Sequence, residues 1–355
     1  MKRYHWMAPL FFVLILIHSS CSLPGASFQQ TVSPTSSQSV SSSAPLPGSP
    51  SLSTASPIAL EALIESIYNQ VNPSVVNVQV ILPPSSSNPQ GGAALGSGFV
   101  WDNQGDIVTN NHVVNGATRI TVTYYDGTTV DADLVGADSD SDLAVIRVKT
   151  ISIQVQPVVL ADSTQLKVGQ VAIAIGNPFG LQSTMTVGFV SSLGRLLPAN
   201  ENAVGPTYNI PDIIQTDAAI NPGNSGGVLL DDTGKVMGVT SSIATTSGSS
   251  SGVGFAIPAA IVEQVIPSLI KTGHYDHPYL GVSIGSLNPD LAAAMKLPPN
   301  QRGALVGTVT TGSPAGKAGL QASQTLVTIN GQQTAVGGDV IIAYNGQVVK
   351  SSDDL

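Results

Sequence analysis

Asn221-Pro222-Gly223-Asn224-Ser225-Gly226-Gly227 is the most informative stretch in this chain of 355 residues. Glycines on both sides of Ser225 let the backbone turn sharply, expose a hydroxyl and aim successive N–H groups at one point. An acyl-transfer site needs that arrangement, a nucleophile beside donors that receive a developing oxyanion. By itself the motif is a moderate signal, because glycine–serine turns are common and most carry no chemistry. A serine hydroxyl is also a poor nucleophile without a base, so a histidine has to be found elsewhere.

Five histidines are available. His5 and His18 lie in an N-terminal segment with the character of a signal. His274 and His277 stand beside Gly273 and Pro278, where a domain boundary is expected, and read as solvated linker residues. That leaves His112, in Val108-Thr109-Asn110-Asn111-His112-Val113-Val114, directly after an expected strand. A catalytic imidazole needs an acidic group to hold its tautomer. Asp142, in Ser141-Asp142-Leu143-Ala144-Val145, opens an apolar strand and is the candidate, with Asp138 and Asp140 as nearby competitors that read as solvated turn residues. The chain order His, Asp, Ser is that of chymotrypsin-type enzymes, whereas α/β-hydrolases and subtilisins use other orders.

Outward from these residues the pattern is one of short strands. Val76, Val78 and Val80 alternate with polar neighbours, as a half-buried strand requires. Apolar runs follow at 99–100, 107–108, 120–123, 143–148, 171–175 and 236–239, most of them separated by Gly, Asn, Asp or Pro. Closely spaced short strands with glycine-rich turns predict an all-β barrel or sandwich. Two helices frame it. One starts at Ser56-Pro57, repeats Leu60, Leu63, Ile64, Ile67 and Val71 at helical spacing, and ends at Pro73. The other spans 258–272, with Ile261, Val262, Val265, Ile266, Leu269 and Ile270 on one face.

Taken together, residues 109–114, 141–146, 214–227 and 252–258, with Gly194-Arg195 and Ile210-Pro211-Asp212, resemble the HtrA/Deg family of trypsin-like serine proteases. The resemblance runs from about residue 60 to the end. It implies a chymotrypsin-like double β-barrel, each barrel six-stranded, with the site in the cleft between them. It also implies Ser225 as nucleophile, His112 as general base and acid, and Asp142 as its orienter. Residues Gly223, Asn224 and Ser225 would line the oxyanion hole, with the amides of Gly223 and Ser225 donating. By position, Ala219 and Ile220 would shape a small apolar specificity pocket, and Ser241, Ser242 and Ile243 would hold the substrate backbone. Asn224 cannot form the ion pair that an aspartate there makes with a freed N-terminus, so proteolytic zymogen activation is not expected. Arg195 falls in a segment resembling a regulatory loop, or is simply an exposed surface arginine. No metal or organic cofactor is implied.

The C-terminal part, 274–355, resembles a PDZ domain of the same family, a small α+β unit. Tyr279, Leu280, Gly281 and Val282 correspond to its carboxylate loop and first strand, which implies binding of peptide C-termini by strand addition. Residues 321–337 insert extra sequence before Gly338-Asp339-Val340-Ile341. The chain stops at Ser351-Ser352-Asp353-Asp354-Leu355, where the family begins the helix that walls the groove, so the domain is expected to be partial.

At the N-terminus, Lys2 and Arg3 precede an apolar run over 10–17 and the small residues Ser19, Ser20 and Cys21. That run is too short for a membrane span, which takes about 20 residues. The order is that of a signal peptide, 1–21, and Cys21 either sits where a bacterial lipoprotein carries its lipid or is incidental to an ordinary signal peptide. Between Arg3 and Glu61 there is no charged residue, and 22–57 is mostly Ser, Thr and Pro, a disordered linker in expectation. The protease domain would then occupy 58–273. The formal net charge of −9 argues against nucleic acid as a partner. A single cysteine excludes an intramolecular disulfide framework and multi-thiolate metal sites. The overall expectation is an exported, envelope-located endopeptidase, anchored through Cys21, acting on unfolded or damaged proteins, and trimeric by family resemblance. The rival from another class is a catalytically silent chaperone scaffold, which an intact His112, Asp142 and Ser225 argue against. An esterase would prefer another residue order.

Overall fold

The computed structural model describes residues 57–84, 89–151, 155–178, 180, 183–199, 208–241 and 252–355. The signal, the linker and Cys21 lie outside the described residues, as do Ser242 and Ile243.

Helix α1 (Pro57–Val71) starts on its proline and leads through a short 3-10 turn into strand β1 (Val75–Leu82). Strands β2 (Gly92–Val100) and β3 (Asp106–Asn110) follow, then the single turn α2 (Asn111–Val114). Strands β4 (Arg119–Thr123), β5 (Thr129–Asp138) and β6 (Leu143–Val148) complete a closed barrel in the order β1-β2-β3-β6-β5-β4. The second barrel comprises β7 (Val171–Gly176), β8 (Thr184–Pro198), β9 (Asn209–Thr216), β10 (Val228–Leu230), β11 (Val236–Ser241) and β12 (Gly254–Pro258). It closes in the order β10-β11-β12-β9-β8-β7. The expected double barrel is what the chain forms.

Strand β1 shows how side-chain alternation builds both the barrel and its neighbour. Val76, Val78 and Val80 point into the first barrel, packed with Ile107, Val122 and Ile146. The opposite face is not solvated. Val75 joins Phe99, Val108, Leu143 and Val145 in a second cluster that runs on into Ile173, Ile175, Ile213 and Val228 of the other barrel. Both faces are therefore dry along the first half of the strand, and fully burying one such side chain stabilises by about 1.5–3 kcal/mol. Helix α1 contributes Ile67 and Val71 to this shared cluster. Helix α3 (Ala259–Thr272) adds Val262, Val265, Ile266 and Leu269 and ends on Gly273, whose left-handed φ of 81° lets its N–H return to Leu269 O at 3.0 Å. The second barrel is filled by small and large side chains together, Ala172 and Ala174 beside Ile214, Leu229 and Met237.

Five strands of the barrels lay outside the sequence expectation, for three reasons. β5 is interrupted by a register shift between Leu134 and Gly136 and leaves Leu134 exposed. β8 and β9 are broken by three register shifts where they pair, at Val190/Ser192, Ser192/Arg195 and Arg195/Leu197. β10 is only three residues long, and β12 runs straight into α3.

Beyond α3, β13 (Val282–Ser286), α4 (Pro289–Ala294), β14 (Ala304–Val309) and α5 (Pro314–Ala318) lead to the hairpin β15 (Thr325–Ile329) and β16 (Gln332–Val336). Strand β17 (Val340–Ile341) then pairs with β14, giving a three-stranded sheet β13-β14-β17 over a small core of Leu287, Ala292 and Leu305. Among the described residues no helix is long and apolar enough to cross a membrane.

Candidate active site

Two of the three candidate residues come from neighbouring strands of the first barrel. β3 ends at Asn110, and α2 places His112 two residues later; β6 begins immediately after Asp142. Because Asn110 pairs with Leu143 across the ladder, the strand ends bring positions 112 and 142 together. His112 Nδ1 lies 2.8 Å from Asp142 Oδ2 and 3.0 Å from Oδ1, and the His112 backbone N–H donates to Oδ1 at 3.0 Å. Asp142 is 1% exposed, so its carboxylate would be costly to bury without these donors. With Nδ1–H pointed at the carboxylate, Nε2 is left as the acceptor, the tautomer that a general base requires.

The aspartate is held in an uncommon conformation. Its φ of 54° is left-handed, a state that costs a non-glycine residue of order 1–3 kcal/mol. Its carbonyl accepts from the Asn111 N–H at 3.1 Å and from Asn110 Nδ2 at 2.9 Å, which fixes that geometry. From the second barrel, Ser241 Oγ donates to Asp142 Oδ2 at 3.3 Å. Ser241, expected to meet the substrate backbone, thus has its side chain committed to the carboxylate.

Ser225 sits between β9 and β10. The turn depends on glycine at two positions: Gly223 has φ 93° and Gly226 φ 84°. A Cβ on Gly226 would collide with Ser97 O, and one on Gly223 would lie 2.5 Å from Pro178 Cβ. Within the turn, Asn224 N–H donates to Asn221 O and Gly227 N–H to Asn224 O, each at 2.9 Å, so the Asn224 amide closes the turn. The Asn224 side chain is buried against Gly176, where a Cβ would stand 2.7 Å from Oδ1. Ser225 itself is only 2% exposed, in contrast to the open serine that the flanking glycines suggest.

What buries it is the first barrel. Ser97 N–H donates to Ser225 O at 2.7 Å, and Ser97 Oγ donates to Gly223 O at 2.7 Å. Ser97 O in turn accepts from Thr109 Oγ1 at 2.7 Å, on the strand that leads to His112. Sequence reasoning missed Ser97. Its only local signal is that it too stands between glycines, in Gly96-Ser97-Gly98.

Of the pocket residues, Ala219 is half-buried and its carbonyl accepts from Thr186 Oγ1 at 3.0 Å. Ile220 is fully buried in the core of the second barrel, against Gly254. Arg195 is exposed, its Nε donating to Ser192 Oγ at 3.2 Å.

In the C-terminal part, Tyr279 and Leu280 are exposed, while Gly281 is buried with φ 78°. Leu280 O and Gly281 O accept from the N–H groups of Ala315 and Thr310 at 3.0 and 2.8 Å, and Val282 pairs with Val309.

Two expectations are corrected. His277 is not solvated: its Nε2 lies 2.7 Å from Asp138 Oδ2, and its ring stands 4.7 Å from those of both Tyr208 and Tyr275. Asp138 is no open turn residue either, being 7% exposed and accepting from the Ser141 N–H and hydroxyl. His274 is exposed as expected.

Residues 96–239 match the family described as "Trypsin-like peptidase domain". The chain is 44% identical over 267 residues to "Protease Do-like 1, chloroplastic" of Arabidopsis thaliana, covering 75% of this chain and 57% of the relative. It is 44% identical over 273 residues to a "Probable periplasmic serine endoprotease DegP-like" of Hahella chejuensis, covering 77% and 53%. The chain therefore spans about half the length of these relatives. Among solved structures, "HtrA-type protease AlgW with tripeptide" superposes with a TM-score of 0.61 at 34% identity, over 81% of this chain and 95% of that one.

Proposed function

Because this chain belongs to the HtrA-type family of trypsin-like serine proteases, we propose that it is a serine endopeptidase in which Ser225, His112 and Asp142 act as one unit. The observation that carries this reading is the His112–Asp142 pair: a partly exposed imidazole fixed at Nδ1 by a buried carboxylate. His277 and Asp138 also pair, but there the imidazole is largely buried and held through Nε2, whereas His112 is held through Nδ1 and is one-third exposed. His112 Nε2 takes the proton of Ser225 Oγ as the oxygen attacks a peptide carbonyl, and returns it to the leaving amine. The imidazolium formed in between is stabilised by Asp142, which stays ionised. The amides of Gly223 and Ser225 receive the oxyanion, and one such donor is worth about 10²–10³ in turnover in a serine protease of another fold. Water then repeats the sequence on the acyl-enzyme.

The substrates are unfolded or damaged proteins, cut after small apolar residues. Ala219, six residues before the nucleophile, stands at the base of the primary pocket, where a lysine or arginine would find no carboxylate. Burying an unpaired charge costs several kcal/mol, enough to exclude such substrates by orders of magnitude. Discrimination among Val, Ala and Ile should be weak, since one methylene is worth about 1–3 kcal/mol. Residues 274–355 form a PDZ-like domain, with Tyr279, Leu280, Gly281 and Val282 at its carboxylate loop. The enzyme works outside the cytoplasm, in keeping with the periplasmic relatives, held to the membrane by lipid on Cys21 and assembled as a trimer.

Digestion of reduced, unfolded casein tests the core of this reading. The purified chain should hydrolyse it and Ser225→Ala should not. Mass spectrometry should place the cuts after Val, Ala or Ile; cuts mainly after Lys or Arg would show that the pocket is assigned wrongly.

A further inference from the structure

Ser97 lies on β2, in the barrel that does not carry the nucleophile, and it is 0% exposed. Every polar group of this residue is committed to the site. Its N–H holds Ser225 O at 2.7 Å and its carbonyl is held by Thr109 Oγ1 at 2.7 Å. Its hydroxyl is used twice, donating to Gly223 O at 2.7 Å and accepting from the Asn177 N–H at 2.8 Å. Asn177 follows β7 and is anchored in turn, its carbonyl accepting from Asn77 Nδ2 of β1 at 2.8 Å and its Oδ1 from the Gly180 N–H at 2.8 Å. Asn77 and Asn177 are buried as well. The result is a continuous buried relay, Asn77 to Asn177 to Ser97 to Gly223, that crosses between the barrels three times.

We infer that Ser97 is a positioning residue for acylation: its hydroxyl fixes the Gly223–Asn224 peptide and thereby the geometry of the turn that must cradle the oxyanion. This inference rests on the proposed serine chemistry and deepens it. Glycine gives position 223 its turn, but glycine also leaves the turn soft, since φ at this residue is not restricted by a side chain. A peptide plane free to rotate would present its carbonyl, rather than its neighbours' N–H groups, to the reacting centre. The plane is pinned at both ends, by Ser97 Oγ on Gly223 O and by Asn221 O on the Asn224 N–H. Only the first pin comes from outside the turn. A hydroxyl suits the place because it alone can accept from Asn177 and donate to Gly223 with one atom.

Ser97→Ala removes the hydroxyl and leaves Gly223 O and the Asn177 N–H without it. A misplaced reacting geometry costs up to about 10² in rate, so kcat on a fluorogenic peptide with valine before the cut bond should fall about 10- to 100-fold. KM should stay within about threefold, because the pocket at Ala219 is untouched. Inactivation by a fluorophosphonate, whose phosphoryl oxygen occupies the oxyanion position as Ser225 Oγ displaces fluoride, should slow by the same factor as kcat. Ser97→Thr, which keeps the hydroxyl, should recover most of the inactivation rate even if its extra methyl lowers Tm. Asn77→Ala provides a second route should Ser97→Ala fail to fold, since it loosens the far end of the relay and should slow inactivation less, in the same direction. If Ser97→Ala, or Asn77→Ala in its place, lowers Tm but is inactivated within twofold of the wild-type rate, Ser97 is a packing residue and the inference is wrong. If the wild-type chain itself does not react with the fluorophosphonate, the fault lies with the proposed serine chemistry instead.

Discussion

The two barrels hold their parts of the site in different ways. The first places His112 and Asp142 on adjacent strand ends and secures them almost entirely from within, through Asn110, Asn111 and the ladder between β3 and β6. The second offers Ser225 on a turn built around two left-handed glycines, held by Thr240 of its own barrel, whose hydroxyl donates to Asn224 O at 2.6 Å, and by Ser97 across the interface. One half of the site is therefore nearly self-contained, with Ser241 its one donor from the other barrel, while the other half draws its support from both barrels. The strain is distributed accordingly. Asp142 pays for φ 54° with local bonds, whereas the serine turn avoids strain by using glycine and then needs an external clamp.

Substitutions on the two sides should separate these modes of support. The largest effect is expected for Ser225→Ala, which should lower kcat by about 10⁶ while leaving binding of an unfolded substrate nearly intact, as steady-state kinetics and a pull-down would show. His112→Ala should cost a similar amount, and the double variant little more. Next comes Asp142→Asn, expected to cost about 10⁴ in kcat because an amide cannot hold the imidazole in the required tautomer. Its urea midpoint should move less than that of the third variant, Gly226→Ala. There an alanine would be forced into φ 84° against Ser97 O, and urea denaturation should report about 2–4 kcal/mol of lost stability. Equal stability of Gly226→Ala and wild type would mean that the turn is not clamped as described. The smallest effect should be that of Ser241→Ala. It removes one neutral donor at 3.3 Å from a carboxylate that keeps its His112 bonds, so kcat should drop no more than about tenfold.

Sequence alone made the three candidate residues legible, because each sits in a local pattern: glycines around Ser225, a short strand before His112, an apolar strand after Asp142. The double barrel was legible in outline for the same reason. What escaped were relations across long separations. Ser97 serves a turn more than a hundred positions away. Ser241 reaches Asp142 from the other barrel. His277 looked like a linker residue because nothing near it announces Asp138, 139 positions earlier. The overlooked strands have a related cause. In β5, β8 and β9 the alternation is interrupted by register shifts, so period-two reading fails there.

The central claim is that Ser225 is the nucleophile and that His112 activates it. Labelling the purified chain with a fluorophosphonate and mapping the adduct by peptide mass spectrometry tests both halves at once. A single phosphonylated residue, Ser225, is expected, with labelling lost in Ser225→Ala and slowed by several orders of magnitude in His112→Ala. An adduct on any other serine, or undiminished labelling of Ser225 in His112→Ala, would contradict the account.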